Sequence, residues 1–219
     1  MIWVLDLDET LYDERDFVFS GFRQTAQAIS HECSYSPSEL FEFMKQEFLL
    51  NGRLKIFQEL HISYPDIHFP LEDLIQIYRK SMPEINLYDD AKRLLDRISV
   101  NRIYLVTDGE KQVQRNKINA LGIDHLFTRI FVTDEHGPGA AKPATKCFEM
   151  IRSDSKCAWN EMVYVGDDPN KDFVNLKPLG IRKVRVNRGR FKNIFLEDSY
   201  EAEFTVENLD DIQGEIFEA

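Results

Sequence analysis

The chain opens on Ile2-Trp3-Val4-Leu5-Asp6-Leu7-Asp8-Glu9-Thr10, an apolar run that stops abruptly at two aspartates one residue apart. Consecutive Ile, Trp, Val and Leu suit a strand buried on both faces, as strands of a parallel sheet are. In open α/β sheets, ligands bind just beyond the carboxyl ends of such strands, which is where Asp6 and Asp8 fall. Two carboxylates this close repel, so the pair calls for a divalent cation or a shared proton. Mg²⁺ suits the site, because it is hard, prefers oxygen and often takes only one or two carboxylates, leaving room for water and a substrate phosphate. An aspartate beside it can attack phosphorus while a second carboxylate moves protons. A plain strand followed by an acidic turn would carry the same letters.

Three further segments repeat the pattern. Asn101 to Val106 is a second apolar run, ending in Thr107-Asp108-Gly109, where a hydroxyl and backbone amides could hold a phosphoryl oxygen. The periodicity of Glu110 to Leu121 predicts a helix whose amino terminus adds its dipole and N–H groups. Thr107 or Asp108 as a simple N-cap is the competing reading. Gly137-Pro138-Gly139-Ala140-Ala141-Lys142-Pro143 is nearly bare of side chains except Lys142, whose ammonium could neutralise a phosphate or a nucleophilic carboxylate, or could be an ordinary surface charge. Glu161 to Val165 leads into Gly166-Asp167-Asp168-Pro169-Asn170-Lys171-Asp172, again acidic just past a buried strand. Capping of a following helix would also explain that cluster.

Taken in order, Asp-x-Asp-x-Thr, strand-Thr, Lys-Pro and Gly-Asp-Asp-x-x-x-Asp resemble the haloacid dehalogenase (HAD) superfamily, from Asp6 to Asp172. The resemblance implies a doubly wound, mostly parallel α/β core. It implies Asp6 as nucleophile, Asp8 as general acid/base with its carbonyl on Mg²⁺, and Asp167 as the acidic metal ligand. Thr107 and Lys142 would orient and neutralise the phosphoryl group, with Asp172 positioning Lys142 or a metal-bound water. Asp168, Asp108 and Gly109 match supporting positions. Dehalogenases of the group lack an aspartate where Asp8 stands, so phosphate ester chemistry is implied: a small phosphate monoester such as a sugar phosphate or nucleoside monophosphate. Two alternatives stand beside hydrolysis. Transfer to another acceptor, as in a phosphomutase, is disfavoured by Glu9 where the family's mutases tend to have glycine. A non-turnover phospho-acceptor resembling a receiver domain would be shorter, lack an insert and carry its aspartate on a later strand.

Roughly ninety residues of largely helical pattern separate the first two strands, too many for a simple crossover. They predict an inserted helical cap over residues 14–85, with the core formed by 1–13 and 86–219. Helices are expected at Phe17 to Ser30, at Leu40 to Leu50 after the Ser36-Pro37-Ser38-Glu39 start signal, at Leu54 to Leu60 and at Leu71 to Lys80. Phe17, Phe22, Met44 and Phe48 fall on apolar stripes and read as bundle core. The position of the insert resembles the superfamily's first cap type. Tyr12 to Asp16 and Pro83 to Tyr88 are then the hinge candidates, and Arg53, after Asn51-Gly52, is a candidate contact for a second anionic group.

Composition bounds the rest. At 219 residues the chain can form one domain or a core with a smaller unit, and a net charge of −11 argues against binding a nucleic-acid polymer. No segment is long and apolar enough to span a membrane, and no signal peptide is expected before the first strand. Cys33, Cys147 and Cys157 lack metal-ligand spacing, so reduced thiols and a cytoplasmic location are expected. Arg188 and Arg190 follow the strand at Arg182 to Val186 and are expected on a surface turn, with an anionic leaving group or a partner as the alternative. An edge strand at Glu203 to Val206 and a short helix from Leu209 complete the reading. The oligomeric state is left open.

Overall fold

The computed structural model describes residues 1–98 and 100–213. Its strands are β1 (Ile2–Leu5), β2 (Ile103–Thr107), β3 (Arg129–Val132), β4 (Met162–Gly166), β5 (Arg182–Val186) and β6 (Phe204–Val206). They form one parallel sheet in the order β3-β2-β1-β4-β5-β6. This is a doubly wound arrangement in which the strand order reverses at β1, and the crevice at such a reversal is where these folds bind ligands. Pairing of Leu5 with both Leu105 and Val165 aligns the ends of β1, β2 and β4. Asp6, Thr107 and Asp167 therefore emerge along one edge of the sheet.

The helices are α1 (Glu14–Ile29), α2 (Pro37–Asn51), α3 (Ile56–Ser63), α4 (Leu71–Lys80), α5 (Asp89–Arg97), α6 (Lys111–Leu121) and α7 (Lys146–Ser155). The chain divides into two compact units, Met1–Glu14 with Asn86–Ala219, and Arg15–Ile85. In the sheet unit, all of β1, β2 and β4 is buried, as expected of continuous apolar runs with neighbours on both sides. Val4, Tyr104, Phe131, Phe148, Ile151, Tyr164 and Phe173 pack into one cluster, and each fully buried aliphatic or aromatic side chain contributes roughly 1.5–3 kcal/mol.

The helical unit is held by rings. Phe22 lies 5.7 Å from Tyr78, 6.2 Å from Phe48 and 6.4 Å from Phe57, mostly edge-on, the geometry that aromatic quadrupoles favour. Ser36 caps α2 by accepting from Glu39 N at 3.2 Å, as its start signal predicts.

Three elements escaped the sequence reading. β3 is only four residues long and begins on an exposed arginine. α5 is mostly charged, and α7 begins only after the Lys-Pro loop. One alternative is also removed. No helix begins within residues 167–176, which run through turns and bends before a single 3₁₀ turn at Lys177–Leu179, so helix capping does not account for that acidic cluster.

Candidate active site

Asp6 is the residue after β1, and its amide still donates to Val165 O at 2.9 Å, so the nucleophile candidate is fixed by the sheet ladder. It is 3% exposed. Lys142 Nζ lies 2.8 Å from Asp6 Oδ1, 2.8 Å from Asp172 Oδ1 and 2.8 Å from the Tyr164 hydroxyl, which itself donates to Asp172 Oδ1 at 3.0 Å. The other Asp172 oxygen accepts the Asp167 and Asp168 amides at 3.1 and 2.9 Å. Asp172 thereby folds the acidic turn onto Lys142. Glycine is required at 166 for this approach, since a Cβ there would stand 2.5 Å from Asp172 Oδ2. Lys142 is thus buried and fully partnered rather than a surface charge.

Burial sets the electrostatics. It pushes Asp6 up to about 7, with the repulsion of Asp172 adding and the Lys142 ammonium opposing. Burial likewise raises Asp167 well above the carboxylate range, and Asp172 and Asp6 repel it further. Asp172 goes the other way: burial opposes its charge, but Lys142 and Lys171 outweigh that and hold it below the usual range. One carboxylate oxygen from each of Asp6, Asp167 and Asp172 falls within 4.8 Å of the others, and all three residues are buried. Crowded, desolvated carboxylates of this kind are the donor set a hard divalent cation accepts, and a cation would relieve the repulsion.

Asp8 faces a different set of partners. Its carboxylate meets Lys117 Nζ at 2.7 Å and Gln114 Nε2 at 2.9 Å, and it accepts from the Tyr12 hydroxyl. Burial would raise its pKa, but the Lys117 ammonium and these hydrogen bonds outweigh burial and lower it. Gln114 also donates to Thr107 Oγ1, which joins the second aspartate to the threonine ending β2.

The remaining candidates divide. Asp108 Oδ1 accepts from Thr133 Oγ1 at 2.9 Å and from Lys142 N at 3.1 Å, so it ties the loop after β2 to the Lys142 loop. Asp168 Oδ1 accepts from Asn170 N and Nδ2 and is turn-forming. Lys171, 3.3 Å from Asp108 and 4.0 Å from Asp168, adds a second ammonium that the motifs did not flag. The α6 amino terminus is not open to a ligand as expected: Glu110, not Thr107 or Asp108, caps it by accepting from Val113 N, and Asp134 takes Lys111 N. Arg53 is exposed and lies in the helical unit.

Arg188 departs from its expected surface turn. It pairs with Asp90 at 2.8 Å, donates to the Glu9 and Thr10 carbonyls and lies 4.1 Å over the Tyr88 ring. It therefore braces the backbone just after Asp8 from within the same unit.

Residues 3–186 match the family model described as haloacid dehalogenase-like hydrolase. The chain belongs to this family. Over 95% of this hydrolase and 93% of the relative, it is 27% identical to a glyceraldehyde 3-phosphate phosphatase of Methanocaldococcus jannaschii. The fold is shared with YfnB from Bacillus subtilis, solved with magnesium bound, at a TM-score of 0.67 and 14% identity over 96% of each chain. It is also shared with a HAD phosphatase from Thermococcus onnurineus, at 0.60 and 22% identity over 96% of this chain and 95% of that one.

In this HAD-like hydrolase, Gln114, Lys117 and Tyr164, like Lys171, bond directly to candidate site residues and were missed by motif reading. A signal for two of them existed. Gln114, Lys117 and Ile118 are spaced i, i+3, i+4, the spacing of a buried helical stripe, so a glutamine and a lysine there needed buried partners.

Proposed function

We propose that the chain is a Mg²⁺-dependent phosphatase that hydrolyses a small phosphate monoester, a sugar phosphate or nucleoside monophosphate, through an aspartyl-phosphate on Asp6. The observation that carries this reading is the pair of neighbouring carboxylates in opposite settings. Asp6 sits beside Lys142 and the acidic cluster, and Asp8 sits in its own hydrogen-bonded socket two residues on. The two carboxylates thus have separate partners, so that a cation and Lys142 can hold Asp6 ionised while Asp8 is left to proton transfer. An Asp6 oxygen attacks phosphorus in line, and Asp8 protonates the departing alcohol oxygen. Asp8 then takes a proton from water, whose oxygen attacks the same phosphorus and frees Asp6. The three partners of Asp8 favour its carboxylate, the form the second half needs, and the first half requires Asp8 to enter protonated.

Asp6, Asp167 and the Asp8 carbonyl would hold Mg²⁺, which would offset charge on the transferring group. Lys142 adds positive charge from the protein side, and Thr107 orients a phosphoryl oxygen. Residues 14–85 act as a cap with hinges at Tyr12 to Asp16 and Pro83 to Tyr88, closing to exclude water, with Arg53 meeting a second anionic group of the substrate. The archaeal relative puts glyceraldehyde 3-phosphate at the head of the substrate panel. A small metabolite in the cytoplasm is the expected partner, and among the described residues no helix is long and apolar enough to cross a membrane.

The test is phosphate release from a panel of sugar phosphates, nucleotides and other small monoesters, with Mg²⁺ and with chelator, by the wild type and Asp6→Asn. Release by the wild type with Mg²⁺ alone, abolished in Asp6→Asn, is expected. Comparable release by Asp6→Asn would sink the reading, and isomerised product without free phosphate would replace hydrolysis by transfer.

A further inference from the structure

Helix α6 buries polar side chains on the face that packs beneath the site. Gln114 is 1% exposed and Lys117 3% exposed, one helical turn apart. Burying an ammonium is costly unless it is paired and hydrogen-bonded, and Lys117 meets that condition at Asp8 Oδ1, 2.7 Å away. Gln114 spends its Nε2 on two acceptors, Asp8 Oδ2 at 2.9 Å and Thr107 Oγ1. The Asp8 carboxylate is therefore gripped at both oxygens from one helix, with the Tyr12 hydroxyl as a third contact. Backbone geometry leaves room for the grip: Gly109 adopts φ +134°, and a Cβ at that position would come within 3.1 Å of the Gln114 side chain. A residue flagged for phosphate binding thus also leaves Gln114 its place.

Resting on the phosphatase reading above, we propose that Gln114 and Lys117 are positioning residues that lock the Asp8 carboxylate in register with the Thr107 hydroxyl. A proton carrier must lie within hydrogen-bond reach of the atom it serves, and a misplacement of about 1 Å can cost on the order of 10²-fold in rate. The β1–β2 ladder ends at Leu5 and Leu105, so it aligns the two backbones but does not tie the Asp8 carboxylate to the Thr107 hydroxyl. Gln114 supplies that tie. Lys117 fixes the second oxygen, so the carboxylate cannot swing about its Cβ–Cγ bond.

Leaving-group dependence tests this directly, because kcat/KM reports only the steps through departure of the leaving group. An alkyl phosphate needs its leaving oxygen protonated, whereas p-nitrophenyl phosphate scarcely does. Gln114→Leu and Lys117→Met are expected to lower kcat/KM for the alkyl ester on the order of tenfold or more, and for the aryl ester less than about threefold. In an Asp8→Asn background, Lys117→Met is expected to cost nothing further, and Lys117→Arg to recover part of the single-variant loss. The double variant leaves no uncompensated carboxylate, so it remains informative if Lys117→Met alone fails to fold. Equal losses on the two esters, a gain on the alkyl ester, or an additive loss in the Asp8→Asn background would overturn the inference. Absence of wild-type hydrolysis of both esters overturns the phosphatase reading and this inference with it.

Discussion

In the sheet unit, buried polar and charged side chains gather where strands end: Asp6, Thr107, Lys142, Asp167, Asp168 and Asp172 are all nine-tenths buried or more. In the helical unit, the described buried residues include no charged group, and the buried polar ones are Ser20, Thr25 and Ser81. Each of these three bonds to nearby backbone, at 2.9 Å for Ser20 with Glu84 N, 2.9 Å for Thr25 with Gly21 O and 2.7 Å for Ser81 with Tyr78 O. The difference agrees with the chemistry proposed at the strand ends. A desolvated charge survives only with compensating partners, so a fold concentrates such groups where reactivity needs them, whereas rings and aliphatic chains suffice to hold helices together. Buried charge alone does not mark a site, however. Lys183 pairs with Glu203 and Arg185 with Glu201 at 2.9 Å on β5, two strands from Asp6, as structural fasteners. What distinguishes the site is crowding of like charges that the protein only partly offsets.

Variants can break this contrast. Lys142→Ala should have the largest effect, because it strands the carboxylates of Asp6 and Asp172: a loss of about 3–5 kcal/mol, read as a lowered denaturation midpoint, together with lost turnover. An unchanged midpoint would show that the cluster is solvated.

Asp6→Asn should act in the opposite sense on stability. In the metal-free protein burial pushes the Asp6 carboxyl up to about 7, against 3.8 for an ordinary aspartate. As pH rises through that window, the unfolded chain releases a proton that the folded chain keeps, so stability falls. The asparagine variant avoids this. Its melting temperature should match the wild type below pH about 4 and exceed it by several degrees above pH about 7, an advantage on the order of 4 kcal/mol that saturating Mg²⁺ should erase. A difference independent of pH would contradict the raised pKa.

In the helical unit, effects should scale with burial instead. Ile29 is fully buried, and Ile29→Val should cost about 1 kcal/mol through one lost methylene. Hydrogen exchange should report that loss in residues 15–85 while β1, β2 and β4 keep their protection. Leu54 is 87% exposed, so Leu54→Ser should move stability by less than about 0.5 kcal/mol. A larger loss in denaturant titration would reveal an apolar contact made by Leu54.

Much of this molecule was legible from its residues. Apolar runs at Ile2, Asn101 and Glu161 gave three of the strands, because strands buried on both faces admit little else, and the acids just past them pointed to the sheet's ligand edge; Arg182 to Val186 read as strand-like from its alternating valines despite three charges. Family membership followed from the order of motifs, and α4 from its flanking Pro70 and its periodicity. β3 and α5 were hidden because short or charge-rich segments carry weak periodicity and take their structure from neighbours.

Spacing along the chain fixes which residues leave the ends of strands, but not what their side chains meet. Only the tertiary structure decided that Asp8 turns to α6 while Asp6 turns to Lys142, that Asp172 organises the acidic turn, and that Arg188 braces the backbone beyond Asp8. Gln114 meets Asp8 across 106 residues and Arg188 meets Asp90 across 98. Such pairings exist only once the sheet order is set, because charge and hydrogen-bond complementarity act through space within a few ångströms, and sequence periodicity encodes only which face of its own element a side chain takes.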